Sequence, residues 1–73
     1  MTLVFRLDLL QADLAAARGR RSRRHAAAYL GLPINMLKRI EEGRTPHIPG
    51  FLQVISALEM PAARYFAPTG GAQ

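Results

Sequence analysis

Residues 23–43, RRHAAAYLGLPINMLKRIEEG, read as two short helices joined by a tight turn at Gly31. Ala26, Ala27 and Leu30 recur at i, i+1 and i+4 and make one apolar face; Leu37 and Ile40, three apart, make another beyond Gly31-Leu32-Pro33. Faces this short must bury against each other. The small side chain of Ala27 permits close approach, and Gly31 can take the positive φ that ends one helix and turns sharply into the next. The second helix starts around Pro33, whose fixed φ suits a helix start, and ends before Gly43 at the C′ position. The spacing predicts a helix-turn-helix over 23–43.

Upstream, Gly19-Arg20-Arg21 makes a basic turn and Ser22 is a natural N-cap for the helix that follows. Before it, TLVFRLDLLQADLAAAR (residues 2–18) places Leu3, Leu7, Leu10, Leu14 and Ala17 at alternating four- and three-residue steps. That stripe predicts a core-facing helix, with Gly19 as its stop and Asp8 able to cap a shorter version. A short strand over Leu3–Leu7 competes, because Leu3, Phe5 and Leu7 alternate with Val4 and Arg6; the helix is the preferred reading. Phe5 and Leu9 fall off the stripe and read as apolar surface for a second subunit.

Downstream, Arg44-Thr45-Pro46-His47-Ile48-Pro49-Gly50 reads as a loop, and Phe51, Val54, Ile55 and Leu58 then repeat at i, i+3, i+4, i+7 as a core-facing helix. Met60-Pro61 breaks it. Residues 62–66 read as one last helical turn that presents Tyr65 and Phe66 to the core or to a partner, and the small, polar residues after Ala67 as a flexible tail. The expected fold is all-α: a compact four- to five-helix bundle, one domain over residues 1–67 with its helix-turn-helix at 23–43, and a tail over 68–73.

A chain of 73 residues buries only about 60% of its unfolded surface, so help from a second subunit is expected. With no cysteine, neither a disulfide nor a thiolate metal site supplies stability, and nothing points to an oxidising compartment; the expected address is the cytoplasm. The apolar run Leu3–Leu14 is interrupted by Arg6, Asp8, Gln11 and Asp13, which rules it out as a membrane span, and the cleavage pattern of a secretory signal is missing.

The net charge of +5 is segregated: residues 1–17 carry −1, residues 18–44 carry +6 and residues 45–73 are neutral. Arg23 and Arg24 stand in a helix first turn, where the macrodipole disfavours cations by about 0.3 to 1 kcal/mol each at exposed sites. Cations and exposed backbone N–H groups at one helix start suit an anion such as a DNA phosphate. Arg20, Arg21, Ser22, Arg23 and Arg24, with Arg44 and Thr45 in the loop, are therefore the expected phosphate contacts. With Leu37 and Ile40 pointing inward, Ile34, Asn35, Lys38 and Arg39 fall on the outer side of their helix. Asn can bond adenine N6 and N7, Arg guanine O6 and N7, and an aliphatic group a thymine methyl, so these four are the expected base readers. Double-stranded DNA is the expected partner.

Catalysis is not expected. His25 and His47 lie in different elements, Ser22 and Ser56 have no nucleophile motif around them, and adjacent Glu41 and Glu42 point about 100° apart on a helix. No metal ligand set, cofactor site or glycine-rich phosphate loop is evident.

Ala27 followed by Gly31, Leu37, Ile40-Glu41-Glu42-Gly43, Pro46, and Phe51, Val54 and Leu58 leading to Met60 and Tyr65, taken in order, resemble the lambda-repressor-like (Cro/repressor-type, xenobiotic-response-element) helix-turn-helix family over Ser22–Phe66. The resemblance implies a four- to five-helix DNA-binding domain, usually a homodimer on a two-fold operator, that represses or activates transcription. It implies phosphate clamping at Arg23 and a groove-facing set at Ile34, Asn35, Lys38 and Arg39. This chain departs from the pattern in having Arg23 where glutamine is common, Pro33 where Ser or Thr is preferred, and Arg21 near a usual apolar position. The first-helix arginine that often pairs with the position of Glu41 is replaced by Ala16 or Ala17, so Glu41 is expected to find Arg18, Arg20 or a backbone donor. The function so implied is a small phage- or bacterial-type repressor, a homodimer through Leu3–Leu10 or Tyr65–Phe66, at the nucleoid. The alternative is an antitoxin-like or architectural DNA-binding protein that acts mainly through a protein partner.

Overall fold

The computed structural model describes residues 3–68. In chain order it has strand β1 (Leu3–Phe5), helices α1 (Leu7–Arg18), α2 (Arg23–Leu30), α3 (Ile34–Glu41) and α4 (Ile48–Leu58), a 3-10 turn (Ala62–Tyr65) and strand β2 (Phe66–Pro68). The chain is thus mostly helical, with four α-helices as expected, but it is not all-α. β1 and β2 form a two-stranded antiparallel sheet with Leu3 opposite Pro68, Val4 opposite Ala67 and Phe5 opposite Phe66. Leu3–Arg6, expected as the start of the N-terminal helix, are therefore strand and junction, and the strand alternative for Leu3–Leu7 is the better one over Leu3–Phe5. The ladder is extended by Arg6 N–H donating to the Tyr65 carbonyl at 2.6 Å. Pro68, assigned to the tail from sequence, pairs in β2; residues 69–73 of that tail lie outside the described residues.

Why the N-terminal stretch pairs rather than coils is visible in its side chains. Phe5 meets Phe51 edge-on at 5.4 Å between centroids and lies 5.6 Å from Phe66, and Phe51 in turn meets Tyr65 edge-on at 5.8 Å. Aromatic pairs in such geometry contribute about 0.5–1.5 kcal/mol each beyond their area. Phe5, read from sequence as free surface, is half-buried in this cluster, and Leu9 also packs on the core.

The helix ends follow local chemistry. The Ser22 hydroxyl accepts from His25 N–H at 3.1 Å, the N-cap its position predicts. Gly31 closes α2 with φ +70°: its N–H donates to the Ala28 carbonyl and that of Leu32 to the Ala27 carbonyl, a Schellman closure that also buries Leu32. α3 repeats the closure around Gly43, and α4 repeats it around Glu59, a non-glycine residue at φ +58°. Asp8 does not cap α1; it sits in the first turn, held by the exposed Arg6 guanidinium at 2.8 and 3.0 Å. α4 starts at Ile48, three residues before the predicted Phe51, because Pro49 in its first turn needs no N–H partner.

Leu10 and Leu14 of α1, Ala26 and Ala27 of α2, Leu37 and Ile40 of α3, and Phe51, Val54 and Ile55 of α4 close one core with Leu32 and Tyr65. Leu58, predicted inside, is only partly buried. The buried Tyr65 donates its hydroxyl to Asp13 at 2.6 Å, and Arg64 grips the same carboxylate at 2.8 and 3.1 Å, fastening the C-terminal turn to α1. No helix among the described residues is long and apolar enough to cross a membrane.

Candidate functional site

α3 is held from behind by α1. Gln11 donates its amide to the Ile40 carbonyl at 2.8 Å, a second bond to a group that Gly43 N–H also reaches at 3.0 Å. Arg18 Nη1 donates to one Glu41 oxygen at 2.7 Å, and Arg23 Nε, from α2, donates to the other at 2.9 Å. One carboxylate thus ties three helices together. Burial pushes the Glu41 carboxyl up, but hydrogen bonds from Arg18 and Arg23, reinforced by their charges, outweigh it and leave it below the ordinary carboxylate value. The expectation that Glu41 pairs with Arg18 is met; the second partner, Arg23, was not foreseen.

With Leu37 and Ile40 fixed inside, the opposite side of α3 is open. Ile34, Asn35, Lys38 and Arg39 are all exposed, as their spacing predicts. Asn35, Lys38 and Arg39 share an open depression of about 250 Å³ with Glu42 and Arg44. A larger groove of about 420 Å³ runs between α3 and the start of α4, where Asn35 and Arg39 face Thr45, Pro46 and His47. The structure therefore joins four of the predicted residues, Asn35, Lys38, Arg39 and Arg44, in one depression and brings Thr45 beside two of them. Gly50 belongs to the same groove: a Cβ there would come within 2.9 Å of His47 Nδ1 and 3.3 Å of Met36 Cε. Glu42, which sequence reasoning set aside after excluding an acid–base pair, faces outward with the cations; counting 100° per residue from Asn35 would have found it.

The basic lead-in is more varied than its sequence suggests. Arg20 and Arg24 are exposed and have no hydrogen-bond or ion-pair partner among the described residues. Arg21 is engaged within the chain: its guanidinium stacks 3.8 Å over the Tyr29 ring and its Nη1 donates to the Ala17 carbonyl at 3.1 Å, closing the end of α1. Arg23 is likewise held, through Nε, by Glu41, which leaves its two Nη groups without a partner among the described residues. Ser22 caps α2 with its oxygen and keeps its hydroxyl hydrogen to donate. No hydrogen bond or ion pair among the described residues links Arg20 or Arg24 to the α3 depression; Arg23 and Arg18, both through Glu41, tie the basic lead-in to α3, and Arg18 also donates its Nε to the Arg21 carbonyl at 3.0 Å.

Comparison of the chain with models of known protein families, with curated proteins and with solved structures yields no match.

Proposed function

We propose that this chain is a sequence-specific DNA-binding transcriptional regulator in which α2 and α3 act as a helix-turn-helix and α3 enters the major groove. One observation carries the reading: the exposed face of α3 gathers Asn35, Lys38 and Arg39 beside Arg44, and none of these cations has an ion-pair partner among the described residues. Lys38 and Arg39 gain only the weak pull of the α3 dipole, and Glu42 offsets one of the three positive charges, so an excess is left that repels itself, whereas a polyanion releases counterions on meeting it. Arg20, Arg24, Arg44 and the free Nη groups of Arg23 would grip phosphates; Asn35 and Arg39 would read base edges, with Ile34 against a thymine methyl.

A monomer this small covers few base pairs, so specificity calls for two copies on half-sites about 34 Å apart. Of the two segments expected to pair, Tyr65 and Leu10 are fully buried, which leaves Leu3 and Val4 on β1 and Phe66 on β2 as exposed apolar surface for a second copy. Repression would follow sterically, by occupancy of an operator that overlaps a promoter, at the nucleoid of a phage-infected or bacterial cytoplasm.

The test is selection of bound sequences from random duplex DNA at two salt concentrations. Asn35→Ala and Arg39→Ala should each relax preference at one position, whereas Arg24→Ala and Arg44→Ala should weaken all sequences alike and reduce the salt slope by about 0.9 per lost phosphate contact. Equal losses on selected and random duplexes for all four variants would remove the reading.

A further inference from the structure

Glu42 is the one carboxylate that lines the α3 depression, where it stands with Asn35, Lys38, Arg39 and Arg44. It is exposed, and its side chain makes no hydrogen bond or ion pair among the described residues, although Lys38 and Arg39 lie one helical turn behind it. Its neighbour Glu41 takes the two arginines that arrive from α1 and α2, Arg18 and Arg23. Glu42 also occupies the C-cap, the negative end of the helix dipole, where an acid is disfavoured by roughly 0.3–1 kcal/mol. Glu42 is thus the one acid of a basic depression, near three cations and in direct contact with none of them among the described residues.

Resting on the DNA-binding reading above, we infer that Glu42 selects a cytosine in the half-site. A carboxylate only accepts hydrogen bonds and is repelled by phosphate, so on DNA it is driven away from the backbone and toward a base-edge donor. The major groove offers two, cytosine N4 and adenine N6. Adenine sets its N7 acceptor beside N6, which a carboxylate opposes; cytosine has no acceptor of its own beside N4 on that edge, and guanine and thymine present no donor there. Glu42 lies seven residues beyond Asn35, two turns and about 10.5 Å along the axis, on nearly the same line of the helix. The groove winds round the duplex, so a step along it is longer than the axial rise of about 3.4 Å and 10.5 Å spans about two steps. The selected cytosine therefore stands about two base pairs from the base that Asn35 reads.

Selection from random duplexes with the full chain and with Glu42→Gln tests this, with Glu42→Ala as a second variant and thermal melts to check that each is folded. The expected result is a cytosine at one position of the wild-type half-site, favoured on the order of tenfold over the other bases. Both variants should lose it while the rest of the site is kept, and Gln should shift that position toward adenine, whose N6 and N7 an amide can bond together. Should wild type and both variants select one and the same sequence, the role of Glu42 is refuted and the DNA-binding reading survives. Should none of the three bind duplex DNA, both fall.

Discussion

Replacing Glu41 by glutamine keeps the side chain's shape and removes its charge, and so tests the tie between α1, α2 and α3. Two charge-assisted hydrogen bonds are at stake, from Arg18 at 2.7 Å and Arg23 at 2.9 Å. In a dry site each would contribute about 1.5–3 kcal/mol. Here the carboxylate is 20% exposed and the two arginines 30% and 38%, so water replaces part of each bond and roughly 1 kcal/mol apiece is the better figure. A loss of roughly 2 kcal/mol at neutral pH would lower the Tm of a domain this size by about 8–16 °C. The sign with pH follows from the lowered carboxyl. Its contribution is fully present above the ordinary value of 4.5 and is lost as pH falls through the folded value, where a protonated Glu41 comes to resemble the glutamine. Urea unfolding of both proteins at pH 7 and at about pH 3 should therefore show a gap that closes on acidification. A gap of equal size at both pH values would place the loss in packing rather than charge and refute the tie.

Other outcomes follow from single features. Glu59→Gly should raise stability by about 1 kcal/mol in urea unfolding, because Glu59 holds a left-handed backbone at φ +58° that a side chain disfavours. Gly31→Ala should cost about as much, although a Cβ there meets nothing within 4 Å, since the cost lies in φ alone. Burial, and beyond it the hydrogen bond to Asp13 and that carboxylate's charge, push the Tyr65 phenol up to about 12. A Tyr29→Phe protein should thus show its phenolate absorbance rise with a midpoint at about pH 12, and the stability Tyr65 contributes should be whole below pH 10 and lost as pH rises from there through about 12. On the proposed pairing through the β1–β2 surface, Leu3→Glu, on a residue 59% exposed, should shift sedimentation from dimer to monomer and abolish the rise of Tm with protein concentration.

The α2–α3 pair was legible because its signals are local: an N-cap at Ser22, a left-handed glycine at 31 and inward Leu37 and Ile40 all lie within one turn of what they control. β1 was not, because Leu3, Phe5 and Leu7 fit a strand as well as Leu3, Leu7 and Leu10 fit a helix. The deciding partner, Phe66–Pro68, lies at the far end of the described chain, beyond the reach of any local period. The outer face of α3 follows from periodicity alone, so Ile34, Asn35, Lys38 and Arg39 fell where spacing placed them. The arginines did not sort themselves in the same way. Charge counting treats Arg20, Arg21, Arg23 and Arg24 alike, yet Tyr29 takes one and Glu41 another, and only tertiary packing distinguishes them.

The antiparallel β1–β2 ladder has a mechanical consequence. Leu3 and Pro68 face each other at its outer end and Phe5 and Phe66 at its inner end, so tethers fixed at residues 3 and 68 would load the rungs one after another, like a zipper, rather than all at once in shear. Tension applied there should peel the sheet first, exposing the Phe5–Phe51 contact while α2 and α3, which lie between the strands in sequence and bear no load until the rungs part, keep their packing.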